Sequence, residues 1–451
     1  MSIERETTVQ NNGKNLLSLC LASFIIISGY SVIVPFLPIY ANDILYEMDI
    51  LGFTIGIAFQ IGIISAGNLV MKFLLAPAYG DLSDLTGRKP VIVIGMATYT
   101  LLMAGYGFAS DFLSLFILRL LSGVASAAVW PVGQALVVDT SASKDKTGKY
   151  LGLYMLSMMA GLTSGPFIGY GFFTMLNGAG FTVIDSYRFT FVCVALLGLI
   201  STLFAIFFVY DPVTSRKSRK HLYVSSVKLM VVKTLKSPVF LYRTITRATE
   251  YRTGSMYTIY LVAIINGFAT ALLVPIVALY LEEYYFLDPG DIALVIGVVG
   301  LLALLGAPAG GILSDRIGRK QTVWISGLAT GSVMMLLGLK TEILVLVTIF
   351  VLLRVGFTVL QPAFRALQSE LVPDGVRGKE FGIVDAAFNF GSIVGPITGG
   401  YIYDVFYLAE FNLGHDLILT GAGIAFALSG TLIVLSSLLL LVFVRQKQIF
   451  A

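Results

Sequence analysis

Gly80-Asp81-Leu82-Ser83-Asp84-Leu85-Thr86-Gly87-Arg88-Lys89 returns later in the chain as Gly311-Ile312-Leu313-Ser314-Asp315-Arg316-Ile317-Gly318-Arg319-Lys320. Each copy is a short polar loop behind a long apolar run. Its glycines allow a tight turn, and it sets an acid and two bases where two helices meet. The flanks repeat as well, at an offset close to 230. Gly148-Lys149 leads through Gly152 to Gly161-x-x-x-Gly165-Pro166-x-x-Gly169, and Gly378-Lys379 leads through Gly382 to Gly391-x-x-x-Gly395-Pro396-x-x-Gly399. Pro35-Phe36-Leu37-Pro38-Ile39-Tyr40 is echoed by Pro275-Ile276-Val277-Ala278-Leu279-Tyr280. Pro131 precedes Asp139 by eight residues, as Pro362 precedes Glu370. Four matches in one order mark an internal duplication, which must be recognised before the fold is read.

The duplicated units are membrane-like. Of 451 residues 57% are hydrophobic and 12% charged, with mean hydropathy +0.88. Soluble domains run near ~25% charged. Too few polar side chains remain to cover a water-facing surface, which argues against a soluble enzyme, a nucleic-acid-binding module and a disordered chain. Runs of ~20 apolar residues, enough to span a bilayer, lie near 15–41, 50–79, 90–109, 112–139, 149–175, 187–210, 256–282, 290–313, 321–339, 341–370, 378–406 and 414–444. Hydropathy alone leaves counts of eleven or thirteen open. Long continuous runs exclude a β-barrel, whose strands alternate over ~10 residues. The 46 glycines suit closely packed membrane helices. Cys20 and Cys193 lie inside apolar runs and read as small core residues, and two histidines leave no His-based metal site.

Lys and Arg fix the expected orientation. With residues 1–14 inside, the outer loops carry Asp43, Glu47, Asp49, Asp111, Asp185, Glu283, Asp288 and Glu410, and only Arg188 and Lys340 as bases. The inner loops carry Arg88, Lys89, Lys144, Lys146, Arg316, Arg319, Lys320, Arg377 and Lys379. Both termini then face the cytoplasm of a multi-pass plasma-membrane protein. Residues 211–255 form a basic linker, including Arg216, Lys217, Arg219 and Lys220, suited to anionic headgroups rather than nucleic acid. The expected organisation is a tail (1–14), a six-helix bundle (15–210), the linker (211–255), a second six-helix bundle (256–444) and a tail (445–451).

At the residues quoted, the chain resembles the major facilitator superfamily over essentially its whole length. The resemblance implies an all-α membrane protein of twelve transmembrane helices in two pseudo-symmetric six-helix bundles. The Gly161-x-x-x-Gly165-Pro166 segment resembles the motif of twelve-span drug–proton antiporters. By the same resemblance Gly80, Asp84, Gly87, Arg88 and Lys89 form a conformational latch, with Asp84 near Arg377 and Gly378, and Arg88 paired to Asp139. The repeat implies a mirror set of Gly311, Asp315, Gly318, Arg319 and Lys320 with Glu370. Proline removes a helix hydrogen bond, so Gly161, Gly165, Pro166, Gly169, Gly391, Gly395, Pro396 and Gly399 are read as packing and bending residues.

Charge inside a span costs at least ~2.5–3.5 kcal/mol and is by default functional. Lys72, Arg119, Arg354, Arg365 and Asp385 qualify. Arg119-Leu-Leu-Ser122-Gly123 resembles the superfamily's R-x-x-Q-G motif, whose Arg is tied to proton coupling, with Ser122 in place of Gln. Arg354 is offset from Arg119 by one turn, so the repeat does not duplicate this charge. Asp385, the one carboxylate well inside a span, is the proton-carrier candidate, or a structural partner of Arg365 or Lys72; the first span holds no acid. Helices one, four, seven and ten of this architecture line a substrate cavity. Tyr30, Ser31, Trp130, Gln134, Asn266, Arg354, Phe357 and Gln361 are its candidate residues, with Gln60 from the second helix.

The expected activity is secondary active transport by alternating access: proton-coupled export of small amphiphilic, drug-like compounds by a monomer. No cofactor is expected beyond a proton gradient, and no Walker-type phosphate loop is present. The alternatives are uptake of a sugar, metabolite or organic anion by the same fold, or a receptor or scaffold without flux. Repeated latch loops argue against a protein without flux. No His cluster, catalytic acid pair or nucleophile elbow points to an enzyme.

Overall fold

A computed structural model describes residues 2–50, 53–141, 144–211, 254–372, 377–407, 409–414 and 417–444. The basic linker beyond Asp211 and the tail 445–451 lie outside the described residues. The first half contains α1 (Ser2–Ile44), α2 (Ile57–Thr86), α3 (Arg88–Tyr106), α4 (Phe112–Thr140), α5 (Lys144–Gly178) and α6 (Val183–Phe208). The second contains α7 (Gly254–Leu272), α8 (Ile276–Tyr285), α9 (Pro289–Ala303), α10 (Gly306–Ile317), α11 (Arg319–Leu336), α12 (Ile343–Leu371), α13 (Arg377–Val405) and α14 (Gly421–Phe443).

These make twelve passes among the described residues, because α7–α8 and α9–α10 are each one pass with a break. Eleven are long and apolar enough to cross a membrane. The twelfth, α11, opens on Arg319, Lys320 and Gln321 and carries Ser326, Gly327, Thr330, Gly331 and Ser332, which dilute its hydropathy. The first break falls at residues 273–275, before Pro275, which has no N–H to continue the ladder. At the second, the Thr358 hydroxyl donates to the Ala303 carbonyl at 2.6 Å. Such repair lets a helix break inside a membrane.

Two boundaries differ from the sequence reading. α1 runs back to Ser2 through the stretch read as a polar tail. Extending a formed helix adds one hydrogen bond per residue fixed and needs no new nucleus. The last pass starts at Gly421 rather than 414, because Glu410–Gly414 (β3) and Leu417–Thr420 (β4) pair antiparallel. Thr420 then caps α14 by accepting the Gly423 N–H at 3.1 Å. A second hairpin, Met48–Ile50 (β1) with Phe53–Ile55 (β2), joins α1 to α2.

The described residues fall into two compact units, those within 1–44, 70–239 and 289–294, and those within 45–69, 240–288 and 295–451. Neither is a simple sequence half. In the first, α1 packs along α5 and α6, and α3 along α4 and α6. A Cβ on Gly161 would sit 2.7 Å from the Phe24 carbonyl, and one on Gly165 or Gly169 would strike Ser31 or Phe36. The repeated motif therefore lays α5 directly on the α1 backbone. Beside it, Phe36, Tyr40, Phe173, Tyr187 and Phe191 form a chain of ring contacts with centroids 5.2–6.0 Å apart. Asn15 donates to Thr140 Oγ1 at 3.2 Å and to the Tyr210 carbonyl at 2.9 Å, and accepts the Tyr210 N–H, tying α1 to the ends of α4 and α6.

The second unit repeats the arrangement. α7 packs along α13, with Gly391, Gly395 and Gly399 against Ile264, Phe268 and Leu272, and α11 along α12 and α14. Ser429 donates to the Ala269 carbonyl at 2.6 Å and Ser436 to Asn266 Oδ1 at 2.7 Å, fixing α14 to α7. Met256, Tyr260, Ala363, Leu367, Val384 and Leu440 form part of its apolar core.

Overpacking a tight contact costs roughly 1–3 kcal/mol. Gly391→Val, whose branches would enter the α7 backbone, should lower the melting temperature or prevent recovery of a monodisperse protein. Gly382→Ala, with nothing within 4 Å of the added carbon, should leave it unchanged. Thermal unfolding and size-exclusion chromatography in detergent check both; equal stability of Gly391→Val would show that the contact is slack.

Candidate functional site

The repeated loops build matching charge networks. Gly87 and Gly318 have φ of 101° and 94°, a region that favours glycine, and each turns the chain directly into the next helix. In the first unit Arg88 Nε lies 3.0 Å from Asp139 Oδ2, while its Nη1 reaches Asp84 at 2.5 Å and Ser83 Oγ at 2.6 Å. In the second, Arg319 Nη1 lies 3.0 Å from Glu370 Oε1. The structure thus brings Arg88 to Asp139 and Arg319 to Glu370, and gives Asp84 a partner in its own loop. The side chains of Arg377 and Lys379 lie outside the described residues. Asp211, placed in the linker by sequence, accepts the backbone N–H groups of Arg88 and Lys89, both at 3.2 Å, and so caps α3. The first network has this extra brace. In the second, the residue against Gly318 is the nearby Gln321.

A cavity of about 200 Å³ lies within the second unit between α7, α12 and α13. Three residues expected from sequence, Asn266, Phe357 and Gln361, line it, with Phe364, Phe388 and the pair Arg365–Asp385. Arg365 Nη2 and Asp385 Oδ1 are in direct contact, with side chains 41% and 53% exposed. Arg365 also lies over the Phe381 ring, 5.7 Å from its centroid. The wall combines apolar and aromatic surface with one balanced, accessible ion pair, a composition typical of small-molecule sites. Arg354 lies on the same face of α12, at helical spacing from Phe357 and Gln361, and is exposed.

In the first unit Arg119 is 7% exposed. It lies among the hydroxyls of Tyr30, Tyr99 and Tyr106. Ser122, which replaces the motif's glutamine, bonds Tyr106 at 3.0 Å. Lys72 sits 5.0 Å from the centroid of the Trp130 ring, within cation–π range. Gln134 is half-buried, and Ser31 turns to the Ser28 and Gly161 carbonyls. Gln60, within the second unit, spends its amide on the Tyr46 and Ile55 carbonyls, at 2.8 and 3.2 Å, and so braces the β1–β2 hairpin.

Two further features escaped the sequence reading. Asp404, in the last turn of α13, accepts the N–H groups of Ala58 and Phe59 at 3.1 and 2.8 Å, a cap on α2 supplied from 345 residues away. Gly56 leaves room for this carboxylate, and beside it Tyr403 donates to Glu283 at 2.6 Å. Glu380 is fully buried and accepts from Tyr260. Position in sequence gives no sign that these acids meet such donors.

The sequence profile of the Major Facilitator Superfamily matches residues 19–254 and 259–449. The chain belongs to the Major Facilitator Superfamily. Its similar relatives include the multi-drug resistance efflux pump PmrA of Streptococcus pneumoniae serotype 4, 26% identical over 88% of this chain and 91% of the pump. Multidrug resistance protein MdtG of Proteus mirabilis is 27% identical over 86% and 89% of the two chains. Among solved structures, a D-xylose-proton symporter superposes with TM-score 0.72 at 16% identity, covering 96% and 99% of the two chains. The inward-open Escherichia coli xylose transporter XylE gives 0.70 at 15%, covering 97% and 98%. These superpositions support the twelve-helix superfamily fold. This superfamily member is a multi-pass membrane transporter of small molecules, not an enzyme.

Losing Asp404 would strip two charge-assisted bonds from the start of α2, each worth roughly 1.5–3 kcal/mol. Asp404→Ala should lower the melting temperature by several degrees, and Asp404→Asn, whose amide oxygen still accepts, by less. Thermal unfolding in detergent distinguishes them; no change in either variant would deny the cap a structural role.

Proposed function

We propose that this transporter exports small amphiphilic, drug-like compounds in exchange for protons, by alternating access, as a monomer in the cell membrane with both termini cytoplasmic. The Arg365–Asp385 pair on the wall of an aromatic cavity carries the reading. An ionised Asp385 holds Arg365. A proton on Asp385 removes the charge that holds it and leaves Arg365 free to change partner. A proton therefore alters the same surface that a cargo would touch, as exchange at one site requires. Arg119 keeps its charge throughout and acts in coupling through its field.

The two repeated networks act as latches on the cytoplasmic side. Each is partly exposed, and exposed ion pairs contribute only ~0–1 kcal/mol. That is little for holding a fold, yet useful for biasing two conformers of similar energy. The basic linker lies against anionic headgroups. The multidrug pumps among the relatives support export, and aromatic cavity walls suit an apolar cargo body.

Proteoliposomes with an imposed pH gradient and radiolabelled chloramphenicol, an uncharged amphiphile, as probe test the coupling. Gradient-driven movement is expected in the wild type and should fall at least tenfold, about 1.4 kcal/mol, in Asp385→Asn. Exchange of labelled for unlabelled probe without a gradient should persist in that variant. Wild-type movement that ignores the pH gradient would end the proton reading, and normal gradient-driven flux in Asp385→Asn would move the proton site elsewhere.

A further inference from the structure

We infer that the cargo is an organic anion, and that Arg119 is the residue of the first unit that pairs with its acidic group. This rests on the transport reading above and names the class of substrate.

Charge deep in the spans is the starting point. Four cations, Lys72, Arg119, Arg354 and Arg365, face one mid-span carboxylate, Asp385, and that carboxylate is already held by Arg365. Among the described residues no carboxylate lies within ion-pair distance of Lys72, Arg119 or Arg354. The acids of the first unit's helices lie near their ends: Asp84 and Asp139 are taken by Arg88, and Asp185 lies 3.8 Å from Arg188. The first unit therefore carries unbalanced positive charge, Lys72 and Arg119, along its spans.

Arg119 is the most demanding of these groups. It is more than nine-tenths buried, and its Nε and Nη1 atoms have no acceptor among the described residues. The groups facing it are the hydroxyls of Tyr30, Tyr99 and Tyr106, all uncharged, and that of Tyr106 is shared with Ser122. The Tyr99 hydroxyl also has no partner there. A buried guanidinium without a counter-charge costs several kcal/mol. Its Nε–H and Nη1 N–H groups point in different directions, and each is an open donor that an acidic oxygen could accept through a charge-assisted bond. A cationic cargo would add like charge to a site that already lacks an anion. Tyr30, Tyr99 and Trp130 line a small apolar pocket of about 10 Å³ near the charge, which the apolar body of an amphiphile would have to widen.

An inorganic anion such as chloride shares this chemistry, so the test separates the two sources. Three ligands on one scaffold serve as probes: 4-phenylbutyrate, 4-phenylbutanol and 4-phenylbutylamine. Binding of each radiolabelled probe to purified full-length protein is measured with and without chloride, and its flux in proteoliposomes. The butyrate should bind about tenfold or more tightly than the alcohol, as charge-assisted bonds imply, and the amine most weakly. That margin should vanish in Arg119→Gln and return in part in Arg119→Lys, which keeps the charge and covers the case in which Arg119→Gln does not fold. Butyrate binding no tighter than alcohol binding, an unchanged margin in Arg119→Gln, or stabilisation by chloride alone would overturn the assignment. Flux of the amine or alcohol with the butyrate excluded would overturn it while leaving the transport reading intact. Absence of flux for all three would overturn both.

Discussion

Lipid offers backbone groups no hydrogen bonds, so each helix must satisfy itself and then find neighbours by contact alone. In this protein the glycine ridges of α5 and α13 meet that constraint. Each brings a helix so close to α1 or α7 that a single added carbon would strike backbone or a packed side chain. These two pairs are the rigid rails of their units. The cavity in the second unit, the tyrosine cage in the first and the charge networks at the loops all depend on helices held in register by these contacts.

Charge is used in two ways. At the repeated loops it is paired, partly exposed and inexpensive to break, which suits contacts that must form and release. Along the spans Lys72, Arg119 and Arg354 have no carboxylate partner among the described residues, which suits contacts completed by something that enters and leaves. The exception is Arg365 with Asp385, a balanced pair on the cavity wall. A transporter needs both: weak bonds that let it change shape, and costly groups that a ligand or proton can relieve.

Much of the fold was legible because duplication writes the same constraints twice. Gly87 and Gly318, Arg88 and Arg319, and Asp139 and Glu370 were found as aligned pairs, and the structure places each Arg beside its acid. Asn266, Phe357 and Gln361 emerged from helix position alone and share one cavity. The contacts that stayed hidden join residues far apart without a repeated partner. Asp404 caps α2 and Asp211 caps α3, each through backbone N–H groups that have no sequence signature. Gln60 looked available for a ligand because hydropathy cannot show that a hairpin carbonyl already claims its amide. The hairpins themselves are short and lie beside strongly apolar runs, which absorbed residues 414–420 into a span.

The stack of Lys72 on Trp130 has a consequence for observation. The chain has two tryptophans. Trp130 lies under a cation in the first unit, while Trp324 packs beside the apolar core of the second. An ammonium held over an indole shifts the electrostatic field across that chromophore, and a nearby apolar core does not. The protein therefore carries one field-sensitive and one comparatively insensitive natural fluorophore, one in each unit. An event that draws Lys72 away from Trp130 would change one emission component and spare the other, giving the molecule an internal optical reference without any added label.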